Sequence, residues 1–349
     1  TAFDEFANLD TIYLPYVTVL LDSTKSFWKT SFEYFTDDVT KLGLSGYACF
    51  PNLVSILNNE KVFSELGAAR SNDSVGVSLQ SIDSGTLTEL YAKEIFLNNK
   101  GLKSVNLPNV VSLTKLDPTT NEPRDVSGNW YLSTSNNIEY GYDQFKSCFE
   151  LDTINMPSLV WGGNGSFYDC HSLSHVSSNI SGEGYGYFPS LIYISRHMFS
   201  NCDNLETVCM DHVTHVGPYA FLYDNISYIT DDPTKKDVSG YAYFPELIEM
   251  EIDSFKGQKT RDGSRPQEQL KEVSLSKAEI LQQGVFYNNR KLHTVKLNNV
   301  SEILGKQVFD NCYELTTISM EKLTKTHNYT FRYNNFSYIT DDPTKKDVS

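Results

Sequence analysis

The chain has 349 residues, and its 44 Asp and Glu outweigh 29 Lys and Arg for a net charge of −15, which argues against nucleic acid as a partner because so acidic a surface repels phosphate backbones. No run of eighteen apolar residues is present to span a bilayer as a helix. The 22 Tyr and 20 Phe, with abundant Asn, Ser and Thr, suit a β-rich secreted or surface protein, and six Cys are too sparse for a disulfide scaffold.

The chain opens with TAFDEFANLD, which has neither a basic nor an apolar leader region and reads as a mature end or an internal cut. FDEFANLDTI from Phe3 then sets a frame that recurs. FLNNKGLKSV from Phe96, FKSCFELDTI from Phe145, FYDCHSLSHV from Phe167 and FSNCDNLETV from Phe199 all keep it. So do FYNNRKLHTV from Phe286, FDNCYELTTI from Phe309 and, shifted by one residue, FLYDNISYI from Phe221. The shared form is F-x-x-C-x-x-L-x-x-[IV], with Cys replaced in several copies, and the interval is 22 residues from Phe145 to Phe167, Phe199 to Phe221 and Phe309 to Phe331. Between frames lies a second apolar run, clearest from Leu205 to Phe221, whose spacing fits neither a helix nor a long alternating strand. It fits a coil that makes a short strand, turns, and returns an apolar group to the same core; stacked coils bury that face against each other.

A longer module overlies the coils. YACFPNLVSI from Tyr47, YGYFPSLIYI from Tyr185 and YAYFPELIEM from Tyr241 share one pattern, and the polar bridges TDDVTKLGLSG (36–46) and TDDPTKKDVSG (230–240) precede the first and last. A related bridge spans 116–128, and SYITDDPTKKDVS from Ser227 to Ser239 returns letter for letter from Ser337 to Ser349, giving about three super-modules and a partial fourth at 340–349. The polar stretches 65–76 and 256–269 read as loops inserted between coils.

The repeat resembles the leucine-rich repeats of BspA-like surface proteins, whose unit reads roughly C-x-x-L-x-x-I-x-[IL]-P-x-x-V-x-x-I-x-x-x-A-F. The match is close for Phe199 to Phe221 and for Phe145 to Phe167, and in phase or with insertions it covers most of the chain. The resemblance implies a leucine-rich-repeat β-solenoid, 1–349, with parallel short strands on one face and irregular or short helical turns on the other. It further implies a non-enzymatic protein of the cell surface that adheres to, or binds, other proteins, matrix or glycan. A structural subunit stacking head to tail with its own copies is the competing reading.

The Cys of the frame, Cys148, Cys170, Cys202 and Cys312, are expected to form a ladder of buried thiols. Cys209 falls on an outward strand position, where a free thiol would be open to reaction. His171, His175, His197, His212 and His215 fall on turns and a strand rather than on one helix face, so solvated or half-buried histidines are expected in preference to a metal site. The acidic pairs Asp37–Asp38, Asp231–Asp232 and Asp341–Asp342 lack the spacing of an EF-hand and read as turn starters, and no cofactor is expected. Neither G-x-S-x-G, H-E-x-x-H nor a Walker sequence occurs to nominate an enzyme.

That leaves the outward strand positions, where a solenoid makes its contacts. The frame assigns to them Asp152, Thr153 and Asn155; Ser174, His175 and Ser177; Glu206, Thr207 and Cys209; and His293, Thr294 and Lys296. These are small or polar, with few of the aromatic anchors that dominate binding hot spots. The Tyr-Phe-Pro segments add aromatic residues, of which Phe50, Phe188 and Phe244 are expected in the core.

Overall fold

The computed structural model describes residues 3, 6, 8–20, 27, 30–57, 62–64, 79–116, 142–259, 266–267 and 270–336. The bridge after residue 116, the loop at 65–76 and the second copy of the thirteen-residue segment at 337–349, with its partial bridge, lie outside them. Contacts divide the chain into two compact units, one of Thr1–Ser174 with Asn179–Leu191, the other of His175–Ser178 with Ile192–Ser349.

Each unit is a stack of coils of the expected kind. The L-x-x-[IV] motif ends in a strand of two or three residues whose central side chain points inward. In the first unit these strands pair in parallel in the order Ile12–Tyr13, Tyr47–Cys49, Tyr34–Thr36, Ser81–Asp83, Ser104–Asn106, Thr153–Asn155 and Tyr185–Tyr187. In the second the order is His175–Ser177, Thr207–Cys209, Tyr241–Tyr243, Tyr228–Thr230, Glu272–Ser274, Thr294–Lys296 and Thr317–Ser319. The central residues, among them Ile82, Val105, Ile154, Val208, Ile229 and Val295, are fully buried. The second apolar run of each coil forms a smaller parallel ladder: Val19–Leu20, Ser55–Ile56 and Glu89–Leu90 in the first unit, and Tyr193–Ile194, His215–Val216, Glu249–Met250, Ile280–Leu281 and Glu302–Ile303 in the second.

The repeated Phe builds a spine. Phe27, Phe63, Phe96, Phe145 and Phe167 stack in sequence with ring centroids 4.9–5.6 Å apart. Phe199, Phe221, Phe255, Phe286, Phe309 and Phe331 do so at 5.2–6.2 Å in the second unit. That spacing is close to the distance between hydrogen-bonded strands, so each coil contributes one ring per step. Phe50 and Phe244 pack edge-on against this spine, and Phe50, Phe188 and Phe244 are buried as expected. Just beyond the spine residue the backbone turns left-handed. Asn98, Ser147, Asp169, Asn201, Asn288 and Asn311, each two residues after a spine Phe, have φ between 58° and 67°. Short polar side chains tolerate that region best, which fits their recurrence there, although Tyr223 and Tyr333 hold the same position at φ 74° and 59°.

Three residues after several of the spine Phe runs a polar ladder. Thiols of Cys148, Cys170 and Cys312 donate at 3.3 Å to the carbonyls of Phe96, Phe145 and Phe286 in preceding coils. Asn99 and Asn289 do the same work with an amide, each bonding both its own spine carbonyl and the previous one. Asn334 is placed to donate at 3.0 Å to the Phe309 and Phe331 carbonyls. Carbonyls left without a strand partner by the turn are thereby satisfied. All six Cys are free thiols and buried, and burial pushes the thiols of Cys148 and Cys312 far up.

A clasp repeated in both units ties one coil to the next. Asp143 pairs with Lys146 and Asp253 with Lys256, both at 2.9 Å. The lysines sit over the rings of Tyr168 and Tyr287 in the following coils, at 5.1 and 5.2 Å. Gly165 and Gly284, at φ 61° and 67°, leave the space that the Asp carboxylates occupy, since a Cβ on either glycine would overlap Asp143 Oδ1 or Asp253 Oδ1.

The super-module is a reversal of strand order. Tyr47–Cys49 inserts between Ile12–Tyr13 and Tyr34–Thr36, and Tyr241–Tyr243 inserts between Thr207–Cys209 and Tyr228–Thr230. Adjacent parallel strands need a return crossing; the bridges 37–46 and 231–240 provide it, each with a single 3-10 turn, Val39–Lys41 and Pro233–Lys235. The segment 256–269, expected as a loop, carries a short antiparallel pairing of Gln258–Lys259 with Pro266–Gln267.

Candidate functional site

The outward face of the main ladder is the surface on which repeated side chains line up, and in each unit it carries two rows. In the first unit one row holds Tyr47, Tyr34, Ser81, Ser104 and Thr153; the other holds Asp83, Asn106, Asn155 and Tyr187. Asn155 donates to Asn106 Oδ1 at 2.6 Å and Asn106 to Asp83 Oδ1 at 2.7 Å, a relay of amides across three coils. In the second unit one row holds His175, Thr207, Tyr241, Tyr228, Glu272, Thr294 and Thr317.

Aromatic anchors are present on this face after all. Tyr34 stacks on Tyr47 with centroids 4.6 Å apart, and Tyr228 on Tyr241 at 4.5 Å. Lys271 lies 5.6 Å over the Tyr228 ring and Lys235 5.3 Å over Tyr241, so the second pair is flanked by two cations. The signal is legible in Y-I-T and Y-A-Y, where alternation about a buried Ile229 or Ala242 turns each Tyr outward.

The bridges decide how much of the face is open. Ser177 donates to Asp237 Oδ1 at 2.9 Å, Ser239 to Glu206 Oε1 at 2.7 Å, and Lys236 pairs with Asp211 at 2.7 Å while reaching over the Tyr243 ring. The segment 231–240 therefore lies across the outward side of strands Thr207–Cys209 and His175–Ser177. Two of the expected contact positions are covered as a result, Ser177 and Cys209 at 1% and 0% exposed, and Thr207, between His175 and Tyr241 in its row, is 2% exposed. The expectation of a reactive outward thiol at Cys209 is corrected accordingly. Asp152, Thr153, Asn155, Ser174, His175, Glu206 and Thr294 are half-buried, whereas His293 and Lys296 are exposed. Thr153 is engaged from both sides, donating to Asp152 and accepting the Gly184 N–H.

The acidic pairs opening the two described bridges have one geometry. Thr36 and Thr230 hydroxyls accept the N–H of Asp38 and Asp232 at 3.1 Å, and these Asp cap the 3-10 turn by accepting from the Thr40 and Thr234 N–H. Those bonds hold both carboxyls below the ordinary value, through Thr40 side chain and backbone for Asp38 and chiefly the Thr234 N–H for Asp232. Asp37 accepts the Thr86 N–H at 2.8 Å and Asp231 that of Ser276 at 2.6 Å, clamping the next coil. The pairs work on backbone donors, and Asp341–Asp342 lies outside the described residues. Among the described residues no three His, Cys, Asp or Glu converge to hold a metal ion, and no helix is long and apolar enough to cross a membrane.

Comparison with known proteins agrees with the coil geometry. The family described as "BspA type Leucine rich repeat region" matches residues 129–227 and 266–346 in six copies, just over half of the chain. No curated protein sequence matches. Among solved structures, similarity extends to a leucine rich cell surface protein of Faecalibacterium prausnitzii, with 18% identity over 82% of this chain and 69% of that one and a TM-score of 0.38. A leucine-rich repeat protein of Bacteroides ovatus is similar at 14% identity over 81% and 82%, TM-score 0.29. The pneumococcal vaccine antigen PcpA is similar at 14% over 91% and 81%, TM-score 0.30. With its repeat frame, Phe spine and parallel ladders, and with the family matched over more than half its length, this chain belongs to the BspA type leucine-rich repeat family.

Proposed function

We propose that the protein is a non-enzymatic binding protein displayed outside the cell, and that it engages a protein or matrix partner through the outward ladder face. Family membership and the acidic, Tyr- and Asn-rich composition support the location. The observation that carries the binding role is the stacked pair Tyr228–Tyr241 flanked by Lys235 and Lys271 on a sheet face that the neighbouring bridge only partly covers. Stacked outward tyrosines expose apolar edges and hydroxyls together, the chemistry enriched where protein surfaces meet. The exposed Lys296 and His293, with half-buried Thr294 and Glu272, continue the same face.

The test is saturable binding of the purified chain to immobilised extracellular-matrix proteins, with Tyr228→Ala/Tyr241→Ala and Lys296→Glu as variants. The reading expects one matrix protein to bind saturably and the tyrosine variant to weaken it at least tenfold. Absence of saturable binding across the set, or equal binding by the variants, counts against it. Light scattering on the same sample separates ligand binding from head-to-tail assembly, which would give open-ended oligomers in place of a defined species.

A further inference from the structure

Among the described residues, the polar ladder has one acidic member. Three residues after Phe221 stands Asp224, where the equivalent residue after Phe331 is Asn334 and after Phe286 is Asn289. Those amides donate to spine carbonyls, their own and the one before. A carboxylate has no proton to donate. Both Asp224 oxygens are buried and neither accepts a hydrogen bond of good geometry, the Cys202 backbone N–H being the one donor near enough to favour the charged form; beside them lies a cavity of about 30 Å³, room for about one water molecule. The cavity is lined by Phe221, Asp224, Phe255, Gly257, Leu270 and Asn289.

We propose that Asp224 is a proton-operated latch: protonated, it takes the place of the ladder amide and closes the coil of Phe221 onto that of Phe199; ionised, it opens the ladder at the entrance to the 230–240 bridge. The surrounding charges favour the protonated form. Asp203 from the preceding coil adds a like charge. Lys256 lines the cavity but is bound to Asp253 at 2.9 Å, and Tyr223, Asn289 and the Cys202 backbone bring no free positive charge. Burial is the chief cause that raises this carboxyl well above the usual 3.8. The native state consequently keeps a proton that the unfolded chain releases, so stability is fully present below the ordinary carboxylate value and falls as pH rises towards the native value. The bridge follows Asp224 by six residues, so the latch couples proton concentration to the segment that covers part of the outward face.

The test is amide hydrogen exchange across residues 199–230 from pH 4.5 to 8, corrected for intrinsic rates, in the wild type, Asp224→Asn and Asp224→Cys. Both replacements are ladder residues found elsewhere in the chain, which keeps the test valid if one of them fails to fold. The wild-type opening constant is expected to rise up to tenfold per pH unit within the window, while both variants stay flat. A flat wild-type profile, or the same rise in the variants, overturns the latch. Carbon-13 carboxyl titration of the wild type reads the ionisation of Asp224 directly: a value well above 3.8 supports the latch, and one at or below 3.8 refutes it. Recovery of the wild-type profile at pH 8 by added potassium or calcium chloride, but not by tetramethylammonium chloride, overturns it in favour of a cation site.

Discussion

The clasp between coils makes its sharpest prediction at Gly284. Replacement by Ala places a Cβ inside the radius of Asp253 Oδ1 and 3.2 Å from its Cγ, at a backbone φ of 67°. The left-handed conformation alone costs a residue with a Cβ about 1–2 kcal/mol. The overlap also drives Asp253 off Lys256, whose 2.9 Å bond lies in a site where the two side chains are 11% and 18% exposed. Burial raises the Asp253 carboxyl and Lys256 opposes that shift, so the carboxyl relies on this one partner. A charge-assisted bond of this kind contributes about 1.5–3 kcal/mol, which brings the expected loss to roughly 2.5–5 kcal/mol. Gly240→Ala is the control within the same unit, with φ 83° and an ordinary contact of 3.8 Å to Ser227 Cβ, so it carries backbone strain without the clash. Urea unfolding followed by tyrosine fluorescence measures both. A Gly284→Ala loss no larger than that of Gly240→Ala would refute the clasp as a stabilising contact.

Two further predictions address the spine and the bridges. Phe286 is fully buried between Phe255 and Phe309. Phe286→Ala should cost about 3–5 kcal/mol and Phe286→Leu under about 2, measured by urea unfolding; equal losses would mean that ring stacking is not what fills the space. Asp231→Ala removes the acceptor for both the N–H and the hydroxyl of Ser276, at 2.6 and 2.5 Å, and should cost about 1 kcal/mol. Faster amide exchange confined to Ser276 and its neighbours is the expected readout, and unchanged exchange there would remove the clamp from the account.

The sequence carries the coil faithfully because one coil buries the same positions every time. The F-x-x-C and L-x-x-[IV] positions identify the buried Cys148, Cys170, Cys202 and Cys312 and the inward strand residues directly. Three spine members, Phe27, Phe63 and Phe255, escape the frame for a local reason. After Phe63 and Phe255 the Leu of the frame is delayed to Leu79 and Leu270, and after Phe27 the apolar positions come one residue early and are Phe32 and Phe35. Strand order is a different kind of information. Periodicity says which side chain faces the core and nothing about which strand lies beside which, so the backward insertion of Tyr47–Cys49 and Tyr241–Tyr243 is not legible in it. The covering of Cys209 and Ser177 follows from that insertion, because the return crossing must run over one face of the sheet. Asp224 gives no signal of its own, because an acidic residue in a polar run looks solvated until its slot in the ladder is known.

The claim on which the binding surface depends is that the 231–240 bridge lies over the outward side of the second unit. Cys209 reports it most directly, standing on an outward strand position but buried beneath Lys236 and Tyr243. Brief alkylation of the native protein with iodoacetamide at pH 8, followed by peptide mass mapping, measures its accessibility against full alkylation in urea. Cys209 is expected to stay unmodified in the native protein and to become accessible when Lys236→Ala/Asp237→Ala loosens the bridge. Rapid native labelling of Cys209, with Cys148 and Cys312 still protected, would contradict it.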